Sequence, residues 1–563
     1  MITVVIVLIA VLLPLVIIAQ TSQVAALFTS GRARNYALAR NAATSLYSTI
    51  YQQANTNADP FLKCTYTTWP GYVGSGSVSS CPTTEVTNPS PPWPSSWSAS
   101  AASSSTYNFV SFGPSGSLAS CTTASGPCAD FTVSYAPAAS STPPFANVVV
   151  DAFAGCSGTS ALCVEVRYNA QLARETYPRW LWFNSHATVG RPGSTRFTTT
   201  TTPSVAYGGK AGVWTTGQVA NGPVGTNGPN IYYCGTPTFF AAGGGSTGEV
   251  TAATYPPLAL SPGCTTPTPP AFVPGPPPPG ALPTTVQLST IQSLAATESY
   301  SGEPSGSTPY ALSGDATITF CPLTSTTSSI AISPSTCTDS DTDTTADADD
   351  PIPWPSSGVL YDAGNLTVSG TANEAITVEA TGNVTIAGNL EAPLNEPSGD
   401  TAASDCTSGV SPSTDCPALV GIIAGTDITL SPSASCTSTS TSCTLPSGCS
   451  TTTAYGSQTV DAVLMAIGGD VSDAQWATQK ACIVSYSGST TSPSSLTYVG
   501  SIIENYQGMF GTGTQSDGKV FTGYATNNFY FDTRLSTQQP PSFPNPTNTH
   551  WLDLSLAEVP PHA

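Results

Sequence analysis

Between Gly358 and Pro393, apolar pairs recur every eight to ten residues, at Leu366/Val368, Ile376/Val378 and Val384/Ile386. Gly364, Gly370, Gly382 and Gly388 lie between or beside them. Short strands that each carry one inward pair and end in a Gly/Asn turn are the pattern of β-solenoid coils. No coil buries its pair alone, so the pattern has to continue. It does, in GIIAGTDITL (421–430), VDAVLMAIGGDV (460–471), ACIVSYSG (481–488) and LTYVGSIIENY (496–506). The insertion Pro432–Ser457, with Cys436, Cys443 and Cys449, reads as loop between coils. A twisted β-sandwich is the competing arrangement.

The other end of the chain is of a different kind. Residues 2–19 (ITVVIVLIAVLLPLVIIA) are wholly apolar, and no charge precedes Arg32. At 1.5 Å per residue the run spans about 27 Å as a helix, close to a bilayer core. A cleaved secretory signal is the alternative, but it expects a basic segment ahead of a shorter apolar core. The helical pattern also continues through Val24, Leu27, Tyr36, Leu38 and Tyr47, among Arg32, Arg34, Arg40 and several alanines. Residues 2–54 are therefore expected to form one helix about 80 Å long, kinked near Pro14 and Gly31.

Charge narrows the class. Only 8% of the 563 residues are charged, and 33 Asp and Glu against 13 Lys and Arg leave a net charge of −20. A basic surface for nucleic acid over the whole molecule is excluded. Sixteen cysteines lie between Cys64 and Cys482, with close spacings at Cys121/Cys128, Cys156/Cys163, Cys406/Cys416 and Cys443/Cys449. No CxxC pair occurs, so they read as disulfides formed in an oxidising space, with the connectivity open. Arg32, Arg34 and Arg40 would place the following chain in the cytoplasm by the positive-inside rule. The cysteines point the other way and carry more weight.

Composition marks the remaining boundaries. YNFVSF, DFTVSY, NVVVDAF and LCVEVRY read as strands, and residues 88–106 as a Ser/Pro-rich loop. Residues 256–283 are Pro-rich, and 338–350 carry six aspartates without the glycine and glutamate of an EF-hand. The expected organisation is an N-terminal helix (1–55), a β-rich head module (56–250), a Pro/Thr/Asp-rich linker or insertion (251–357), a β-solenoid (358–546) and a tail (547–563). The fold class is α+β, mainly β, with a disulfide-bonded head.

Helix, central segment and repeats together resemble a known family. The long helix with an apolar half and an Ala-rich half is similar to that of type IV pilins. YPRWLWFNS (177–185), GQVANGPVGTNGPNIYYCGTPTFF (217–240), GVLYDAGNLTVSG, LVGIIAG, DAVLMAIGGDV, YVGSIIENYQGMFGT and FYFDTRLSTQQPPSFPNP resemble, in that order, PilX/ComZ-like minor pilins. Two features depart from the family. Thr3, Val4 and Val5 stand where pilins usually carry a glutamate, and Gly225 stands where this family commonly has a histidine. The basic leader is also absent, which reads as a late start at Met1 or a trimmed chain. The resemblance implies a minor or accessory subunit of a type IV pilus-like apparatus. Its partners would be other pilin subunits, through the N-terminal helix, and the inner or cytoplasmic membrane before assembly. The chain would be anchored in that membrane by its helix, with its bulk extracellular, at the cell surface or on a pilus. The head would serve assembly, adhesion, or capture of a surface glycan or DNA.

A catalytic centre is not legible. Asp461, Asp470, Asp473 and Glu504 are the carboxylates a solenoid glycosidase would draw on, but Asp470 and Asp473 flank a Gly-Gly turn, where carboxylates cap turns. His186, His550 and His562 are scattered, and neither a GxSxG elbow nor a P-loop occurs. No enzyme activity, cofactor or metal is expected. One local contrast remains. Arg174, Arg179, Arg191 and Arg196 are interleaved with Trp180 and Trp182, a mixture able to follow a phosphate backbone and stack on bases. A packed structural junction uses the same residue types and is the favoured reading. The alternatives to a pilus role are a membrane-anchored adhesin or envelope protein and a carbohydrate-active solenoid enzyme.

Overall fold

The structure is a computed structural model. It describes residues 2–56, 98–99, 107–112, 128–136, 145–156, 162–192, 197, 210, 212–216, 218–241, 247–262, 264, 269–275, 281–283, 285–302, 306–322, 329–333, 337, 351–392, 418–432, 434–437, 453–476, 484–486, 491–493, 495–511, 522–524, 526–536, 538–546 and 551–559. The acidic segment 338–350 lies outside these residues. The chain is mainly β and divides into two compact units. The first comprises Met1–Ala139, Pro143–Arg174 and Thr549–Ala563, and the second Ser140–Thr142 and Glu175–Asn548. The division falls inside the expected 56–250 module and returns the tail to the first unit.

In the first unit a single helix runs from Ile2 to Thr56, unbroken at Pro14 and Gly31. Ala39, Ala43, Leu46, Tyr47, Ile50 and Ala54 recur at three- and four-residue steps and form one buried stripe. That stripe packs on an antiparallel sheet ordered Ser98–Ala99, Tyr107–Phe112, Cys128–Ala136, Phe145–Ala154, Val164–Arg174, Trp551–Val559. Two strands supply the facing residues with the period of two that a half-covered sheet requires: Ala146, Val148, Val150 and Ala152, then Val164, Val166, Tyr168, Ala170 and Leu172. Small side chains on both sides let the helix lie close. Polar bonds fix its register. The Asn35 amide donates to the Leu162 carbonyl at 2.8 Å, and Asn55 exchanges bonds with the Trp551 backbone at 2.6 and 3.1 Å. The Cys156–Cys163 disulfide closes the hairpin beside it.

Among the described residues no helix is long and apolar enough to cross a membrane. The reading of the chain as anchored in a membrane by its N-terminal helix is corrected accordingly. Where its side chains are described, this helix exposes Arg32, Arg34 and Arg40 and lays its apolar stripe on a protein sheet.

The second unit is built from parallel ladders. One passes through Ala311–Leu312, Val359–Asp362, Ile376–Ala380, Val420–Ala424, Gln458–Ala466, Ser495–Gln507, Trp182–Val189, Val224–Thr226, Glu249–Thr251 and Val273–Pro274. A second joins Ala316–Phe320, Leu366–Thr371, Val384–Glu391, Ile428–Ser431 and Val471–Asp473. In-register pairing stacks like on like. Leu360, Val378, Ile422, Leu464, Ile502, Trp182, Val224 and Val250 form one buried column, and Leu366, Val384, Ile428 and Val471 another.

The order of the strands is not the order of the chain. From Trp182–Val189 the chain steps away to Val273–Pro274, passes through the helix Thr285–Thr297, and restarts at Ala311–Leu312. It then steps back until Ser495–Gln507 pairs with Trp182–Val189.

The first ladder is also buried on its outer side, as parallel sheets generally are. There Tyr361, Glu379, Ile423, Met465, Ile503 and Phe183 stack in register. The segment after the last ladder strand covers part of this face: Thr377 Oγ1 donates to the Pro541 carbonyl at 2.5 Å, and Phe543 lies where a Cβ on Gly421 would be. Cys234–Cys264 and Cys321–Cys337 bridge this unit, and no described cysteine is free.

Candidate functional site

The Arg/Trp segment is divided between the two units. Arg174 ends the strand Val164–Arg174 of the first unit, in register with Trp551. The other described members belong to the second unit. Arg179 ends the single turn Tyr177–Arg179, with Nη2 3.8 Å from the Glu249 carboxylate. Trp180 is fully buried, and its ring centroid lies 6.2 Å from that of Phe183. Trp182 is buried among Trp214, Phe510 and Phe529, edge-on at 5.0–5.2 Å. Arg191 is exposed in the turn after Trp182–Val189, and Arg196 lies outside the described residues. Stacking on a base requires an exposed ring face, and neither indole has one.

All four carboxylates weighed for catalysis lie inside the second unit. Glu504 accepts from Trp182 Nε1 at 2.7 Å and from the amides of Val471 and Gly508 at 2.9 and 3.0 Å. Burial pushes its pKa up, against those three donors. Asp461 accepts from the Ala392 amide at 3.1 Å, and burial, reinforced by Glu391 and Asp532, pushes it up to about 7. Asp473 accepts from the Gln475 amide at 2.8 Å, and burial pushes it up to about 8. Asp470 is buried, and its own amide donates to Asp427 at 3.1 Å. Glycoside hydrolysis needs a carboxylate pair flanking a bound sugar, and these four are instead buried, three on ladder strands and Asp470 in the turn before Val471–Asp473. Among the described residues no group of three or more His, Cys, Asp or Glu is placed to hold a metal ion.

The regular exposed feature is polar and uncharged for most of its length. At the turns beside the second ladder, Asn365 donates from its amide and side chain to Asp315 at 2.9 and 3.0 Å. Asn383 does the same to Asn365 at 2.9 and 3.2 Å, and Thr426 donates to Asn383 at 2.7 Å. Next to this row, Thr317, Thr367, Thr385 and Thr429 follow one another in register on the outward side. Parallel strands space such rungs about 4.8 Å apart. The result is a flat, repeating row of hydroxyl and amide groups. Sequence reasoning sees the Asn-Leu-Thr and Asn-Val-Thr triplets at 365 and 383 but not that both asparagines belong to a ladder. The signal is their common position one residue after a glycine, Gly364 and Gly382.

No family model matches this chain, and no curated protein or solved structure matches it either.

Proposed function

We propose that this chain is a minor or accessory subunit of a type IV pilus-like apparatus, and that its second unit is a β-solenoid head carried by that apparatus for assembly, adhesion or capture. The observation that carries the reading is the N-terminal helix. One 55-residue element packs its Ala-rich stripe on an antiparallel sheet, while Leu27 and Phe28, 71% and 50% exposed, leave apolar side chains outside that contact. Such residues suit packing against the helices of other pilin subunits. The solenoid reading is supported by in-register parallel ladders whose strands recur with Gly/Asn turns between them. The role is display rather than turnover. The Thr and Asn rows offer neutral hydrogen-bonding groups at a fixed repeat, which suits a repeating polar surface such as a glycan.

The test is mass spectrometry of sheared fibres together with a Leu27→Glu, Phe28→Glu variant. The parent chain is expected in the fibres and the folded variant is expected to be depleted from them. A parent chain absent from the fibres removes the pilus reading.

A further inference from the structure

Five carboxylates of the second unit are buried beyond what their pairing accounts for. Glu175, Asp362 and Asp473 are fully buried, and Glu379 and Asp461 are 4% and 5% exposed. Seven of their oxygens make no well-formed hydrogen bond: both of Glu175, close to the Trp180 indole, both of Asp362, close to the Ala363 and Gly364 amides, and one each of Glu379, Asp461 and Asp473. Among the described residues one cation, Arg534, is similarly buried, and it is already bound to Asp532 at 2.5 Å. Few titratable groups come within electrostatic reach. They are Arg179 and Tyr177 for Glu175, Asp315 and Tyr361 for Asp362, and Tyr361 for Glu379. Asp461 faces Glu391, Asp532, Arg534 and Tyr498, and Asp473 faces Tyr524. The phenols are uncharged across the range considered, Asp315 disfavours a further negative charge at Asp362, and Glu391 and Asp532 do so at Asp461, against Arg534.

An ionised carboxylate buried with one or both oxygens poorly partnered is costly, and the neutral acid is the stable form there. We propose that the second unit holds these five side chains as neutral carboxylic acids, so that it is most stable in acidic surroundings and loosens as the pH rises past neutrality. The direction follows from linkage. Burial pushes Asp362 up to about 6, Glu175, Glu379 and Asp461 to about 7, and Asp473 to about 8. The folded unit therefore binds more protons than the unfolded chain between roughly pH 4 and 8. Stability is gained as the pH falls through that window and lost as it rises. Surface charge acts in the same sense. A net charge of −20 at pH 7, with a pI near 4.2, means that self-repulsion shrinks on acidification.

The experiment is urea unfolding of the intact, disulfide-closed chain at about pH 8, 6.5 and 5. The midpoint is expected to move to higher urea at each step down. The double variant Asp362→Asn, Glu379→Gln is expected to exceed the parent near the top of that range and to show a shallower pH slope. Asp473→Asn, read the same way, serves if the double variant does not fold. A midpoint that falls steadily on acidification, or a slope that the folded variants leave unchanged, overturns the proposal.

Discussion

The carboxylate of Glu504 accepts a hydrogen bond from the indole nitrogen of Trp182 at 2.7 Å across 322 residues of chain. The same carboxylate serves the amides of Val471 and Gly508, so one side chain ties three segments together. Glu504→Ala orphans three buried donors and is expected to cost about 3–5 kcal/mol, with Glu504→Gln retaining part of it. Equilibrium unfolding decides the matter. A loss below about 1 kcal/mol would show that water replaces the carboxylate without penalty.

Arg534 and Asp532 form a buried ion pair, joined through Nε and Nη2 at 2.5–3.1 Å. Arg534→Met strands the Asp532 charge and is expected to destabilise by about 3–5 kcal/mol. Adding Asp532→Asn should recover most of that, because the stranded charge is then gone. If the double variant is as unstable as the single one, the charge is not the cause.

Gly500 has φ 141°, and a Cβ there would stand 2.0 Å from the Ala462 carbonyl oxygen of the neighbouring strand. Gly500→Ala is expected to lower stability by about 2–4 kcal/mol, from backbone strain and overpacking together. Gly314 also has positive φ, at 91°, but has nothing within 4 Å of its Cβ position. Gly314→Ala should therefore cost only about 1–2 kcal/mol, the conformational part alone. Thermal or urea unfolding of the two variants side by side measures the difference.

Leu46 lies at the centre of the buried helix stripe. Leu46→Ala should weaken the helix–sheet contact by about 2–4 kcal/mol, seen as faster amide exchange in Phe145–Ala154 and Val164–Arg174. Leu27→Ala, at an exposed site, should change these rates little. Equal acceleration by both would contradict the assigned stripe.

How much of this was legible depends on how local each signal is. Leu366/Val368 and Val384/Ile386 reveal themselves because strand, turn and next strand lie within twenty residues, and glycines mark the turns. Glu379 does not, because the alternation rule assigns it to solvent, and the Pro541 and Phe543 segment that covers part of its side of the ladder arrives some 160 residues later. The same distance effect hides Trp182. Its neighbourhood in sequence is rich in arginine, whereas its neighbourhood in space is Glu504, Phe510 and Phe529. The helix is legible over 2–54 from its apolar and Ala-rich halves and runs over Ile2–Thr56. Its docking is not legible, since the strand Trp551–Val559 completes the sheet from the far end of the chain.

The meeting of Trp182–Val189 with Ser495–Gln507 also sets a timetable. A ribosome adds about 5–20 residues each second, so the edge of Trp182–Val189 waits between about 15 and 65 seconds for the strand that completes it. Throughout that interval a nascent chain carries an open parallel edge flanked by bulky aromatics, and any neighbouring polypeptide able to add a strand competes for it. Translation rate and shielding by a holdase should therefore affect the yield of this protein.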